Sequence, residues 1–404
     1  MKKFNVNIIL FVFFIAFIII GIWGKCFTRL KWGTIDMLAA FKHLNITGVM
    51  NAKATIDNVS SEELLYHDML MDIESLKNNL LGTRVVYKED TTVVKANSGS
   101  LMSPVNQLSP SDIEEVISCI QKLKDISEQN GAGFLYCNAP AKGLYEQVPS
   151  NISNYFKENL EAFLGGLQSS QVPVVNLSDA LKSHGVKDSE IFYYTDHHWN
   201  ARSGFIATTA ICEELSERYG FEFNKQYTDL NNYNIAYYPN WFLGSYGRKV
   251  GTYFTWHGAD DFELITPLFE TDMTEEQPLK NQIRNGSFEE TVLFMEKMEK
   301  DYYNKSTYST YSGGDFHLQI MKNNLNPSGK KILLVRTSFA CVVAPFLALQ
   351  TSELHICDMR DASFIDGDKI NLEEYIQKNK PDYVIVLYSG IFSIETSQGR
   401  YDFF

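Results

Sequence analysis

Lys331-Ile332-Leu333-Leu334-Val335-Arg336-Thr337-Ser338-Phe339 is the stretch that decides the fold. Ile332 to Val335 is a continuous apolar run, the pattern of a strand buried on both faces. Thr337-Ser338 then reads as a turn, and Phe339 to Leu349 as a helix. Similar runs recur downstream at Leu354-His355-Ile356 and Tyr383-Val384-Ile385-Val386-Leu387, with a helix predicted over Leu372 to Gln377 and stopped near Pro381. Upstream, Gly133-Phe134-Leu135-Tyr136-Cys137 is another short strand, ended by Asn138-Ala139-Pro140. Apolar strands alternating with helices predict an α/β fold, a mostly parallel sheet flanked by helices. Ligands in such folds sit at the carboxyl ends of the strands. Ser338 follows one such end.

The remaining elements extend this rhythm. Arg84-Val85-Val86-Tyr87 and Thr91-Thr92-Val93-Val94 read as short strands. Asp112 to Ser127 is a helix by the spacing of Ile113, Val116, Ile117, Ile120 and Leu123, with Ser111 as N-cap and Glu114 three residues on. Tyr155 to Leu164 is a helix closed by Gly165-Gly166. Val172-Pro173-Val174-Val175 is a strand edge and Ser178 to Ser183 a short helix. Ala201 to Tyr219 is a helix closed by Gly220. From about 220 to 329 the rhythm breaks. Aromatic residues cluster at Tyr233, Tyr237, Tyr238, Trp241 and Phe242, and Gly244-Ser245-Tyr246-Gly247 and Gly251-Thr252-Tyr253-Phe254 look strand-like. The expected organisation is an N-terminal anchor (1–30), a stalk (31–80), the first part of the α/β domain (81–219), a β-rich insertion (220–329) and the second part (330–404).

The chain has 404 residues, enough for a sizeable core. With 45% hydrophobic and 21% charged residues, a folded protein is expected. A formal charge of -13 argues against nucleic-acid partners, which call for basic patches. The six cysteines are scattered, without a CxxC pair, and read as free thiols. Every residue from Ile8 to Gly24 is apolar or glycine, flanked by Lys2-Lys3 and by Lys25, Arg29 and Lys31. This predicts an uncleaved, single-pass signal anchor in a bacterial cell membrane, with the α/β domain outside the cytoplasm.

The chemistry-bearing stretch is Ile191-Phe192-Tyr193-Tyr194-Thr195-Asp196-His197-His198-Trp199-Asn200, a strand-like run ending in an acid, two histidines and a tryptophan. In an extended backbone Asp196 and His198 point to one side and His197 to the other. A serine hydroxyl needs a base, histidine has the right pKa, and a carboxylate on the other ring nitrogen fixes the tautomer. Asp196, His198 and Ser338 are therefore the candidate catalytic set. Arg336 either contacts an anionic substrate group or pairs with a carboxylate. Trp199 packs, or stacks on substrate. Lys142 and Tyr145 line the cleft or belong to a surface turn. Ser245, between glycines, reads as a turn residue rather than a second nucleophile. Adjacent histidines seldom point into one site and no further ligand has helpful spacing, so no metal or cofactor is expected.

Tyr194-Thr195-Asp196-His197-His198-Trp199 resembles the hallmark of the DHHW protein family. It is also similar to the Asp-x-His-Trp motif of the SGNH-hydrolase-like alginate O-acetyltransferase proteins. In that class the serine motif comes after the acid and base, an order permuted relative to ordinary SGNH hydrolases. Arg336-Thr337-Ser338-Phe339-Ala340 resembles that late motif, with Arg336-Thr337 where glycine-aspartate is usual, and Val343 to Leu347 resembles the helix after it. Asn138 to Lys142 with Tyr145 resembles the stretch after an early strand. The glycine-bearing oxyanion block of ordinary SGNH enzymes is not evident. The resemblance implies serine-dependent O-acyl transfer, acetyl foremost, to or from a cell-envelope or secreted polysaccharide. A membrane O-acyltransferase would be the acetyl donor. The contrasting class is an inactive, membrane-anchored glycan-binding or envelope assembly protein.

Overall fold

The computed structural model describes residues 67–88, 91–361, 365, 367–393 and 396–404. The chain divides into two compact units, Met1–Leu81 and Gly82–Phe404. The described part of the first contains helix α1 (His67–Leu80), with Asp68 in its first turn and Lys77 in its last, the charge order a helix dipole favours. The anchor expected over Ile8 to Gly24 lies outside the described residues. Among the described residues no helix is long and apolar enough to cross a membrane.

In the second unit, strands β1 (Val85–Tyr87), β2 (Thr92–Lys95) and β3 (Leu101–Met102) form a small sheet. Next come β4 (Gly133–Ala139), β5 (Val174–Asn176), β6 (Tyr233–Phe242), β7 (Asp260–Pro267), β8 (Met273–Gln277) and β9 (Gln282–Gly286). They are followed by β10 (Gln319–Asn323), β11 (Lys331–Arg336), β12 (Glu353–Asp358) and β13 (Tyr383–Ser389). The main sheet has eight strands in the order β5-β4-β13-β11-β12-β10-β8-β9. From β5 to β12 the neighbours are parallel; β10, β8 and β9 join antiparallel. The sheet is therefore mixed, and its antiparallel edge comes from the region read as a separate β-rich insertion. The burial pattern gives the reason. β11 and β13 are buried almost throughout, whereas β8 and β10 alternate buried and half-buried residues, as strands with one wetter face do. Among the described residues β6 and β7 pair with each other and with no other strand.

Successive residues of the central strands feed two cores. Ile332, Leu334, Ile385 and Leu387 face one, closed by α5 (Ala201–Tyr219) through Phe205, Ile211 and Leu215. Leu333, Val335, Val384 and Val386 face the other, closed by α2 (Pro110–Gln129) and α3 (Phe156–Ser169). The shorter helices are α4 (Leu177–Ser183), α6 (Ser245–Val250), α7 (Phe288–Thr291), α8 (Ala344–Ala348) and α9 (Leu372–Asn379).

Several local expectations need correction. The N-cap of α2 is Ser109, not Ser111. Pro110 occupies the first turn, and Ser109 exchanges bonds with Asp112 in a capping box. α3 does not stop at Gly165-Gly166; a Cβ on Gly166 would lie 2.2 Å from Ile117 Cδ1, so the glycine serves close helix packing. Ile191 to Tyr194 is not a sheet strand but part of a loop pinned by a single bridge, Phe192 to Trp199. Ser245 to Val250 is helix α6 and Thr252–Phe254 a 3-10 turn, where strand-like runs were expected. The helix after Ser338 is broken in two. Pro345 cannot continue a helix begun at Phe339 because it lacks an N–H and its ring would meet the carbonyl of residue 341. The chain makes a 3-10 turn, Ser338–Val342, before α8, and the Ser312 hydroxyl donates to the freed Cys341 carbonyl at 2.9 Å.

Candidate active site

Ser338 stands where β11 leaves the sheet. The Thr337 amide still donates to Leu387 O of β13, at 3.3 Å, and the turn begins one residue later. The loop that meets it, 192–200, joins no strand ladder among the described residues; β3 reaches it through Leu101 N to Tyr194 O at 2.7 Å, and other groups hold the rest of its shape. Asp260, at the start of β7, accepts from the amides of Tyr194 (2.5 Å) and Thr195 (2.8 Å) and from the Thr195 hydroxyl. The same hydroxyl oxygen accepts from Gly244 N at 2.8 Å, and Thr195 O accepts from Gly247 N at 2.9 Å. α6 is thereby laced to the loop. Burial pushes the Asp260 carboxyl up to about 6, against the bonds from Thr195 and the charge of Lys142.

Asp196 and His198 share a side by a tight turn, not an extended backbone. Asp196 Oδ1 accepts from His198 N at 2.8 Å and lies 2.5 Å from His198 Nδ1. Asp196 Oδ2 accepts from Ser245 N at 2.5 Å. His198 Nε2 is 2.7 Å from Ser338 Oγ. Asp196 is buried and His198 nearly so. Burial alone would raise the Asp196 carboxyl. His198, His197 and the Ser245 amide outweigh it and hold the group well below the usual carboxylate range. The His198 ring stacks on Tyr308 at 4.0 Å between centroids.

A Cβ on Gly244 would fall 2.3 Å from Asp196 Cβ and 2.5 Å from its backbone nitrogen. The neighbour there is backbone, so the loop itself would have to move. Gly244→Ala is expected to lower stability by about 1–3 kcal/mol, as overpacking does, and to reduce turnover with it. Chemical unfolding with parallel rate measurement checks this; an unaltered midpoint and rate would show that the loop is not held by this contact.

The other sequence candidates fall elsewhere. Arg336 does not face the cleft. It is fully buried, its guanidinium meets Asp315 and donates to Gly314 O at 2.6 Å, and Asp358 lies 3.8 Å away. Trp199 is also fully buried and stacks on no substrate surface. Its Nε1 donates to Phe339 O at 2.8 Å, a carbonyl that also accepts from Tyr308 OH at 3.1 Å. It is a strut between the histidine loop and the serine turn. Lys142 is buried, donates to Leu101 O (2.9 Å) and Tyr194 O (3.0 Å), and is pushed down to about 8 by burial. Tyr145 packs on Phe192, ring centroids 5.5 Å apart. Neither lines the cleft at Ser338, but Lys142 lines a neighbouring cleft that shares the His197 wall. His197 does not turn away from His198: the rings are 3.7 Å apart, and His197 Nδ1 is 2.7 Å from Ser245 Oγ. Partial burial, then the neighbouring His198, holds the His197 imidazole below its ordinary range.

The cleft holding Ser338, His198 and Asp196 measures about 270 Å³. Arg248, Arg360 and Arg400 share its walls with Tyr308 and Phe392. A larger depression of about 510 Å³, beside the Arg202–Glu263 pair, does not include Ser338 or His198. Asp196, His197 and His198 bring potential ligand atoms within 4.8 Å of one another. Both nitrogens of His198 are already engaged, so an ion there would displace Ser338 or Asp196. Nothing in the sequence singles out Asp260, Arg248 or Tyr308, and Ser245 stands there only as a turn residue. The Gly244–Gly247 spacing flags this region, but as a strand-like run or a turn rather than as the start of α6.

Residues 102–233 match the family described as the SGNH hydrolase-like domain of acetyltransferase AlgX. No curated protein matches the sequence. Among solved structures, Bacillus cereus PatB1 with a sulfonyl adduct superposes with a TM-score of 0.61 at 19% identity, over 79% of this chain and 99% of that one. PatB1 without the adduct gives 0.59 at 20% identity, over 76% and 95%. A DHHW family protein from Eubacterium siraeum gives 0.55 at 18% identity, over 76% and 92%. The stretch from Tyr194 to Trp199 lies within the matched residues 102–233, and the superpositions extend the likeness in fold, an SGNH hydrolase-like α/β fold, over most of the α/β unit.

Proposed function

We propose that this protein moves an O-acyl group, acetyl foremost, to or from a polysaccharide through an ester on Ser338. The observation that carries this reading is the hydrogen-bonded line Asp196–His198–Ser338, 2.5 and 2.7 Å per link. Asp196, ionised, accepts Nδ1–H and leaves Nε2 free to take the Ser338 proton. Ser338 Oγ then attacks the acyl carbon of a donor ester, and His198 returns the proton to the departing alcohol. The developing oxyanion meets the Ser338 N–H, which opens a turn where the first amides lack partners within the turn. In the second half His198 deprotonates a sugar hydroxyl, giving transfer, or water, giving ester hydrolysis. The likeness to a domain described as that of an acetyltransferase supports the acyl chemistry. We further propose that the anchor at Ile8 to Gly24 holds the domain on the outer face of a bacterial membrane, where a membrane O-acyltransferase supplies the acetyl group.

The test is covalent trapping. Intact protein treated with p-nitrophenyl acetate or methanesulfonyl fluoride is expected to carry one adduct, mapped by peptide mass spectrometry to Ser338 and missing from Ser338→Ala. A folded intact protein that takes up neither reagent would favour a glycan-binding protein on the same fold.

A further inference from the structure

We propose that His197 is a second catalytic imidazole, whose Nε2 seats the alcohol oxygen that enters or leaves the ester on Ser338. This rests on the acyl-enzyme reading above. His197 lies on the wall shared by two clefts. One is the cleft of about 270 Å³ at Ser338. The other, about 360 Å³, is bounded by Pro104, Lys142, Phe156 and Tyr246. Phe339, Ser389 and Phe392 line both as well. A transferase has to bring a second molecule to the ester carbon in a reactive geometry. The junction of two clefts beside the base is the place for its hydroxyl.

The atoms of His197 suit that task. Nδ1 is taken by Ser245 Oγ at 2.7 Å, while Nε2 has no protein partner among the described residues. The side chain is 37% exposed and lines both clefts, in contrast to the 9% exposed side chain of His198. With the two ring centroids 3.7 Å apart, an oxygen handing its proton to His198 lies beside His197. With the Ser245 hydroxyl as donor to Nδ1, which also lies 3.5 Å from Asp196 Oδ1, the His197 proton stands on Nε2. In deacylation one lone pair of the acceptor oxygen forms the bond to the acyl carbon, and its proton goes to His198 Nε2. The bond from that carbon to Ser338 Oγ then breaks as His198 returns the proton to Oγ. The second lone pair of the acceptor oxygen accepts from His197 Nε2–H. Water can take the same seat, but only a larger alcohol also fills the second cleft, so the seat and the cleft together bias the ester toward transfer.

The readout is the ratio of acetylglycerol to acetate formed from the acetyl-enzyme, with p-nitrophenyl acetate as donor and concentrated glycerol as acceptor. Because both products come from one intermediate, the ratio is independent of how much ester forms. His197→Ala is expected to lower it about tenfold, the worth of one hydrogen bond of ordinary strength. His197→Gln, whose amide N–H reaches the same region, is expected to recover part of the loss. Should His197→Ala fail to fold, Ser245→Ala, which removes only the hydroxyl that orients the ring, is expected to lower the ratio about threefold. A ratio within twofold of the intact protein in the folded variants would overturn the assignment, as would an intact acetyl-enzyme that transfers nothing to glycerol. Absence of any acetyl-enzyme would instead remove the reading on which the proposal stands.

Discussion

Asp196→Asn is expected to lower the turnover of acyl transfer by about four orders of magnitude while leaving the protein folded. The reason lies in which atoms donate. Asp196 accepts three hydrogen bonds, two on Oδ1 from His198 N and Nδ1, and one on Oδ2 from Ser245 N. An asparagine has one oxygen. Turned toward His198, it sets its NH₂ against the Ser245 amide, donor against donor. Turned the other way, it presents N–H to His198 Nδ1 and selects the tautomer with the proton on Nε2. That nitrogen then cannot take the Ser338 proton. Either orientation also removes the charge that stabilises the imidazolium. Stopped-flow acylation with p-nitrophenyl acetate checks the rate, and unfolding midpoints check the fold. Turnover retained within tenfold would mean that His198 does not depend on Asp196 for its tautomer, and the proposed mechanism would fall with it.

Arg336→Met is expected to cost about 3–5 kcal/mol of stability, the range for breaking a buried ion pair from one side. Arg336 is buried with Asp315 and Asp358 around it, and Arg360 completes the cluster through both oxygens of Asp358. Methionine fills much of the volume but takes a donor from the Gly314 carbonyl and leaves the half-buried Asp315 with Arg360 alone, at 2.9 Å. Arg336→Lys is expected to be destabilising too, since an ammonium cannot reproduce the planar fork that meets two partners at once. Urea unfolding measures the loss, and a change under 1 kcal/mol would show that Arg360 alone satisfies the cluster. The effect reaches function because Ser338 follows two residues on, so a shift at the end of β11 moves the nucleophile.

The parts of the fold legible in the sequence are those written in local signals. Helix α5 was read at both ends because Asn200 caps it by accepting from Ser203 N and Gly220 closes it with φ 70°. The strands β11 and β13 were read from unbroken apolar runs. The loop carrying Asp196 was misread as a strand because Ile191, Tyr193 and Trp199 are indeed buried. An apolar run reports burial, not the partner that buries it. Here a ring-rich layer does so, with Tyr193 against Phe242 and Phe262 from the hairpin β6–β7. The same limit hid Asp260 and Ser245, which act on the loop from 65 and 49 residues away.

By itself the sequence determined the kinds of groups available: an acid and an imidazole two residues apart, and a serine at the end of a buried strand. Those follow from residue identity and short-range pattern. That Arg336 turns inward, that His197 stays beside His198 and that Ser245 steadies His197 were decided by tertiary structure alone. Hydrogen bonds act over about 3 Å, and His198 and Ser338 are 140 residues apart in the chain. Only the stacking of helix α5 and the β6–β7 lobe on the sheet brings such distant atoms within that range.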